Sequence, residues 1–369
     1  MSPELTLKAR VDAPRNEYHF RTADGLDSPD CFRDRDLLLL EELWDRATGR
    51  TLVPAANYGV VGTILGDSRP ATMAERDARA ARFARENARR NGVNARVELV
   101  GALTALADDF DTVAIAPKPY TPLAVGKQRL VDACSRLRDG GTCFLAAAPT
   151  AGLTRYEATL ADCATTVERV GSRGEIECLR ATVSSAFDPP TYATPERYCA
   201  TVSGVDLTLF GYPGLFAAGR VDDGTRLLAE TATVRDGDRV LDTCCGDGVL
   251  GAYAGLSADI TLVCSDVDAV ATCCARRSLV ASGVAGQVVT ADTLRGVDGR
   301  FDTVLCNPPT HAGDGVLSSL FGRVDDLLAD DGHVFVVHHA GVDIDAALRR
   351  VGTPTVVGKK DEHVVVRVE

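Results

Sequence analysis

The chain has 369 residues, 45% of them hydrophobic, and a formal net charge of −12. That length suffices for two ordinary domains with their own cores, and no run of about 18 apolar residues is present, so no membrane-spanning helix is expected. The acidic balance argues against indiscriminate binding to a polyanion.

The basic residues are lopsided. Lys8, Lys118, Lys127, Lys359 and Lys360 are the only lysines among 40 basic residues, the rest being arginines. Acid-rich composition with arginine in place of lysine suits a salt-adapted protein. At molar salt the Debye length shrinks to roughly 3 Å, so an acidic body barely repels phosphates and gains little from counterion release; contacts with a nucleic acid must then be short-range. The first dozen residues mix charges with isolated leucines and lack the apolar run of a signal peptide, so a cytoplasmic protein is expected. Twelve cysteines without a CxxC pair read as reduced, mostly buried small hydrophobes, and neither a disulfide framework nor a metal site is expected.

From the N-terminus onward the chain reads as one fold written twice. Phe110-Asp111-Thr112-Val113 recurs as Phe301-Asp302-Thr303-Val304, an offset of 191 that also carries Asn91-Gly92-Val93 onto Ser282-Gly283-Val284, Glu75 onto Asp266 and Gly141 onto Gly332. With a two-residue slip, Gly59-Val60-Val61-Gly62 falls on Gly248-Val249-Leu250-Gly251. A register held this far points to duplication of a whole domain. In the first copy the stretch Ala74–Asn91 is predicted as a helix carrying Arg76, Arg79, Arg82, Arg85, Arg89 and Arg90, readable as an RNA-facing surface or as a solvated helix with internal ion pairs. The Pro-, Tyr- and Thr-rich segment Phe187–Arg197 suits a linker. The expected organisation is therefore a first domain over 1–185, a linker over 186–200 and a second domain over 201–369.

In the second copy, strands are predicted at Arg239–Leu241, Ile260–Cys264, Gln287–Thr290, Thr303–Cys306 and Val334–Val337, with helices after the first and over Val270–Ser282. Alternation of this kind implies an α/β fold with a doubly wound parallel sheet in each copy. The tail, Thr355-Val356-Val357, a polar turn, then Val364–Val368, reads as a terminal antiparallel hairpin.

The chemistry is concentrated here. Asp242-Thr243-Cys244-Cys245-Gly246-Asp247-Gly248 closes the first strand, and its glycines allow close backbone approach to a ligand and a sharp bend into a helix. Because Gly251 completes a G-x-G-x-x-G, this loop fits a dinucleotide as well as S-adenosylmethionine. Asp266, after the second strand, can accept ribose hydroxyls, and Asp292, after the third, can accept from an adenine amino group. Asn307-Pro308-Pro309 after the fourth strand separates the two readings. Methylating an sp² amino nitrogen requires acceptors for both its N–H bonds; the Asn307 side-chain oxygen and the Pro308 carbonyl can supply them on a backbone stiffened by proline. His311 is placed to line a target-base pocket, whereas His338-His339 lacks partners at metal spacing and reads as structural.

These motifs resemble those of the tandem-domain ribosomal-RNA guanine-N2 methyltransferases, class I enzymes of the "methyltransferase small" type. The resemblance covers Tyr212-Pro213-Gly214-Leu215-Phe216, Leu241 through Gly248, Asp266 and Asn307 through Gly313, together with the duplication itself. It implies S-adenosylmethionine held by Asp242, Cys244, Gly246, Gly248, Asp266 and Asp292. It further implies a target amine oriented by Asn307 and Pro308 with His311 beside the base, and ribosomal RNA or a ribosomal subunit as partner of a monomer. In amino-methyltransferases the residue after Asn-Pro-Pro is usually aromatic and stacks on the base. Here it is Thr310, so Phe216 is expected to stack instead, with Pro309 and Thr310 against the substrate. The first copy has Val53, Asn57 and Ala116 where the second has Asp242, Gly246 and Asn307, and is expected to be catalytically dead. Methylation of a protein glutamine amide or of adenine N6 fits the Asn-Pro-Pro as well, and a non-catalytic RNA-binding or ribosome-assembly role stays open.

Overall fold

The computed structural model describes residues 3–46, 49–184 and 186–369. It divides into two compact units, Met1–Ala193 and Thr194–Glu369. The first runs β1 (Glu4–Lys8), β2 (Glu17–Arg21), α1 (Asp34–Leu43), β3 (Thr51–Pro54), α2 (Val60–Gly66), β4 (Ala71–Glu75), α3 (Ala78–Arg90), β5 (Arg96–Leu99), β6 (Phe110–Ile115), α4 (Leu123–Cys134), β7 (Leu137–Ala147), α5 (Leu153–Ala161), β8 (Ala164–Arg173) and β9 (Ile176–Val183). The second runs β10 (Glu196–Val202), β11 (Val205–Gly211), α6 (Asp223–Thr231), β12 (Arg239–Thr243), α7 (Val249–Ser257), β13 (Thr261–Asp266), α8 (Ala269–Ser282), β14 (Gln287–Thr290), β15 (Phe301–Cys306), α9 (Asp314–Leu327), β16 (Leu328–His339), α10 (Asp345–Leu348), β17 (Pro354–Lys360) and β18 (His363–Val368).

Each unit is a seven-stranded sheet preceded by a two-stranded hairpin, in the orders β5-β4-β3-β6-β7-β9-β8 and β14-β13-β12-β15-β16-β18-β17. All neighbours are parallel except those involving β9 and β18, each inserted antiparallel between two strands of opposite sense. The central strands read as unbroken apolar runs because helices cover both of their faces, and Leu241, Val304, Cys306 and Val334 are fully buried.

The duplication holds at atomic detail. Val53 pairs with Met73 on β3–β4 as Asp242 pairs with Cys264 on β12–β13. The turn after each first strand carries three left-handed residues at the same places: Ala55, Asn57 and Gly59 (φ 54°, 53°, 90°) against Cys244, Gly246 and Gly248 (57°, 54°, 88°). Asn87 of α3 and Asn91 at its C-cap accept from Arg21 and His19 of β2, as Ser278 and Ser282 of α8 accept from Phe210 and Thr208 of β11.

Two expectations are corrected, the start of one helix and the end of the linker, and one alternative left open is narrowed. Ala74 and Glu75 lie in β4, and the helix expected over Ala74–Asn91 starts at Ala78, where Asp77 caps it by accepting from the Ala80 N–H. The arginines around it are engaged within the unit: Arg79 is buried and donates to the Asp24 carbonyl, Arg82 pairs with Glu86 and covers the Phe83 ring, Arg85 donates to the Val97 carbonyl and Arg90 pairs with Glu4. The expected linker over 186–200 gives way to strand at Glu196, because Glu196–Ala200 pair with β11.

The cysteines are free thiols, most of them buried. No helix of the described residues is long and apolar enough to cross a membrane.

Candidate active site at the carboxyl edge of the second sheet

In an open doubly wound sheet, a crevice forms at the carboxyl ends of the strands where the order reverses. In the second unit that point lies between β12 and β15, whose ends are in register through Thr243 and Cys306. The loops carrying the sequence-predicted residues leave this edge from four adjacent strands. Asp292 follows β14 by two residues, Asp266 ends β13, Asp242 through Gly248 end and follow β12, and Asn307 follows β15.

Asp242 is fully buried. Its Oδ2 accepts from the Gly251 N–H at 2.9 Å, while Oδ1 finds no partner among the described residues. Burial, only partly offset by the Gly251 bond and reinforced by the nearby Asp266 and Asp247 carboxylates, pushes its pKa up to about 8. Gly251 is required where it stands, since a Cβ there would sit 2.6 Å from the Cys264 Sγ.

The turn itself is held from two sides. The Gly246 N–H donates to Asp266 Oδ2 at 2.9 Å, and the other Asp266 oxygen accepts from the Asp268 N–H. From the hairpin, the Tyr198 hydroxyl donates to Asp247 Oδ2 at 2.6 Å. Burial raises Asp247 to about 6, and the Tyr198 bond opposes that shift. A Cβ on Gly246 would meet no described atom within 4 Å, so the space above this glycine is open. Gly248 is the opposite case, because a Cβ there would lie 3.1 Å from the Ala275 Cα.

At the end of β15, Asn307 is half-buried, Pro308 buried, Thr310 half-buried, and Pro309 and His311 exposed. Asn307 Nδ2 donates to the Thr225 hydroxyl of α6 at 3.0 Å, and Oδ1 has no hydrogen-bond partner among the described residues. The Pro308 carbonyl accepts from the Thr310 N–H at 2.9 Å, leaving one lone pair for another donor. Burial holds the Cys306 thiol well above its ordinary range, with the Cys244 thiol against it, so the glycine turn and the Asn-Pro-Pro turn touch at their roots. Phe216 projects from the loop between β11 and α6 with 67% of its surface exposed. Sequence reasoning missed Thr225 and Tyr198, whose partners are 82 and 49 positions away.

The corresponding turn of the first unit is closed over. The Asn57 side chain donates to the Asp27 carbonyl and accepts from the Asp27 N–H, so the loop before α1 lies on it. Glu75 still accepts from the Asn57 N–H as Asp266 does from Gly246, but no carboxylate stands at Val53 and no amide at Ala116.

A family model for the methyltransferase small domain matches residues 17–180 and again 206–367. The chain belongs to that family. Curated relatives include the ribosomal RNA small subunit methyltransferases C of Chromohalobacter salexigens, 33% identical over 55% of this chain and 62% of the relative, and of Escherichia coli, 34% identical over 63% and 65%. The chain thus spans less than two thirds of the length of these relatives. Among solved structures, a T. thermophilus 16S rRNA N2 methyltransferase in complex with AdoMet and guanosine superposes with a TM-score of 0.82 at 22% identity, covering 100% of this chain and 98% of that one. This likeness establishes a shared two-domain fold.

Proposed function

We propose that the protein transfers a methyl group from S-adenosylmethionine to an exocyclic amino nitrogen, the N2 of a guanine in small-subunit ribosomal RNA, at a single site in its second unit. The observation that carries the proposal is the Asn307 amide, whose nitrogen is engaged by Thr225 and whose oxygen has no hydrogen-bond partner among the described residues, with the Pro308 carbonyl next in the chain. The names of the relatives and of the solved structure agree with this reading.

The residues present fit the cofactor. Asp242 keeps a buried oxygen without a partner among the described residues, Gly246 leaves its space open, and Asp266 and Asp292 bring carboxylates to the same sheet edge. We assign the cofactor to Asp242, Cys244, Gly246, Gly248, Asp266 and Asp292. When bound, S-adenosylmethionine supplies an electrophilic methyl group on a cationic sulfur. The chain's own part is to prepare the nucleophile. The guanine amino lone pair is delocalised into the ring; Asn307 Oδ1 and the Pro308 carbonyl accept its two N–H bonds, drawing density onto nitrogen and fixing its direction, which is catalysis by positioning and electrostatics. The methylated nitrogen then loses one of these two protons to solvent, so no strong general base is required of the chain. We place the base between Pro309, Thr310, His311 and the exposed ring of Phe216, which offers the stacking surface that Thr310 does not.

The test is labelled-methyl transfer to small subunits and to naked rRNA that lack the modification, followed by nucleoside analysis. Wild-type protein is expected to yield N2-methylguanosine, and label in glutamine or N6-methyladenosine would overturn the substrate assignment. Asn307→Ala is expected to lower kcat by about a hundredfold or more while calorimetry shows cofactor affinity within about threefold of wild type.

A further inference from the structure

An asparagine can activate an amine only if its oxygen, and not its NH2, faces the substrate. The two ends of the amide have nearly the same shape, and a reversed amide would set donor against donor. A threonine hydroxyl can accept from Nδ2 or donate to Oδ1, so it anchors the amide in place, and the substrate N–H facing the outer end selects the oxygen there. The arrangement that satisfies both is the one present: Nδ2 of Asn307 donates to the Thr225 hydroxyl at 3.0 Å, with Oδ1 at the outer end.

Thr225 is itself firmly held. It is the third residue of α6, 8% exposed, and its N–H donates to the helix-capping Asp222 carboxylate at 3.1 Å. Its β-branched side chain is restricted to two main χ1 rotamers in a helix. The preceding Gly224 lets the helix start lie close to β18, since a Cβ there would come 2.8 Å from the His363 ring.

The duplicated unit separates what the helix needs from what the site needs. The caps of α1 and α6, Arg33 and Asp222, stand 189 positions apart, the same offset that relates Gly59 to Gly248. At that offset Thr225 corresponds to Asp36. The Asp36 carboxylate is turned instead to Arg33, which donates to both its oxygens at 2.7 and 2.6 Å. The partner position has also changed, from Asn307 to Ala116. Helix α1 therefore packs without the hydroxyl, and the hydroxyl and the amide are absent together.

We infer that Thr225 is a positioning residue: by accepting from Asn307 Nδ2 it holds the amide so that Oδ1 faces the amine to be methylated. This rests on the methyl-transfer reading of the site. Thr225→Val keeps the shape and removes the acceptor, whereas Thr225→Ser keeps the acceptor.

Methyl transfer to unmodified small subunits is measured for both variants, for Asn307→Ala and for the Thr225→Val/Asn307→Ala double variant, alongside cofactor calorimetry. Thr225→Val is expected to lower kcat about 10- to 100-fold, with cofactor affinity within about twofold of wild type. Thr225→Ser is expected to restore most of the rate, and the double variant to be no slower than Asn307→Ala alone. The nitrogen-15 spectrum gives a readout independent of turnover. The Asn307 side-chain amide signals, identified by their loss in Asn307→Ala, should shift in Thr225→Val and stay in place in Thr225→Ser. A Thr225→Val variant with wild-type kcat, or one whose Asn307 amide signals do not move, overturns the inference. Wild-type protein that transfers no methyl group while those signals still respond overturns the functional reading and leaves the Thr225–Asn307 coupling intact.

Discussion

Asp242 sits in an environment that disfavours its charge. It is fully buried, one oxygen accepting from one backbone N–H and facing the Cys264 thiol, the other with no partner among the described residues, and its pKa is raised to about 8. At pH 7 the unliganded protein therefore holds this carboxyl largely protonated. A cationic cofactor favours the ionised form, so binding at pH 7 is expected to release close to one proton. Calorimetry in buffers of different ionisation enthalpy measures that release, and Asp242→Asn is expected to abolish it and to weaken binding at least about tenfold. Linkage gives the stability counterpart. The folded-state pKa lies above the unfolded one, so the folded protein binds more protons between about pH 4 and 8, and stability falls as pH rises through that window. Asp242→Asn should accordingly raise the melting temperature at pH 9 and leave it nearly unchanged near pH 4. No proton release from the wild type would show that Asp242 does not meet the cofactor's charge. Residues such as Asp242, Asp266 and Asn307 were legible in the sequence because each lies at the end of a recognisable strand or directly after it. Thr225 was not: a threonine at the start of a helix has no local signature of a contact 82 positions away.

At the scale of elements, the glycine turn is a backbone shape that the two copies share and use differently. Gly246 and Asn57 adopt the same left-handed φ, near 54° and 53°, and each donates its N–H to the carboxylate ending the neighbouring strand. The turn thus tolerates asparagine, the residue after glycine best suited to that conformation. What asparagine costs is space, and in the first copy its side chain is bonded to the overlying Asp27 loop. Gly246→Asn is therefore expected to fold with a stability within about 1 kcal/mol of wild type while cofactor affinity falls by tenfold or more, because the side chain enters the open volume above the turn. Denaturant unfolding and calorimetry on one preparation check both halves, and an unchanged affinity would place the cofactor elsewhere. The strands of the second copy, their parallel alternation with helices and the terminal hairpin were legible because apolar runs and turn residues encode them directly; the order of the strands came only from the fold. The arginine-rich helix was left open between two readings for the complementary reason. A run of charges on a helix does not reveal which carbonyls and carboxylates the fold brings within reach, and here Asp24, Val97, Glu86 and Glu4 take up four of the six arginines.

For the whole molecule, the hydrophobic clusters fall within the units. Two are drawn entirely from residues between Leu5 and Phe187 and two from residues between Tyr198 and Val368. Each unit also has its own complete seven-stranded sheet and its own hairpin. Units with separate cores and no strand exchanged meet the conditions for independent folding. Residues 194–369 expressed alone are thus expected to unfold in one cooperative transition and to bind S-adenosylmethionine with about the affinity of the full chain. Residues 1–193 alone are expected to fold and to bind no cofactor. They have a valine in place of the buried carboxylate, an asparagine occupying the glycine's space and an alanine in place of the activating amide. Calorimetry on the two fragments decides the matter directly. Cofactor binding by 1–193 would mean that its site survived the loss of all three groups, and failure of 194–369 to bind would mean that the second site is incomplete without residues outside it.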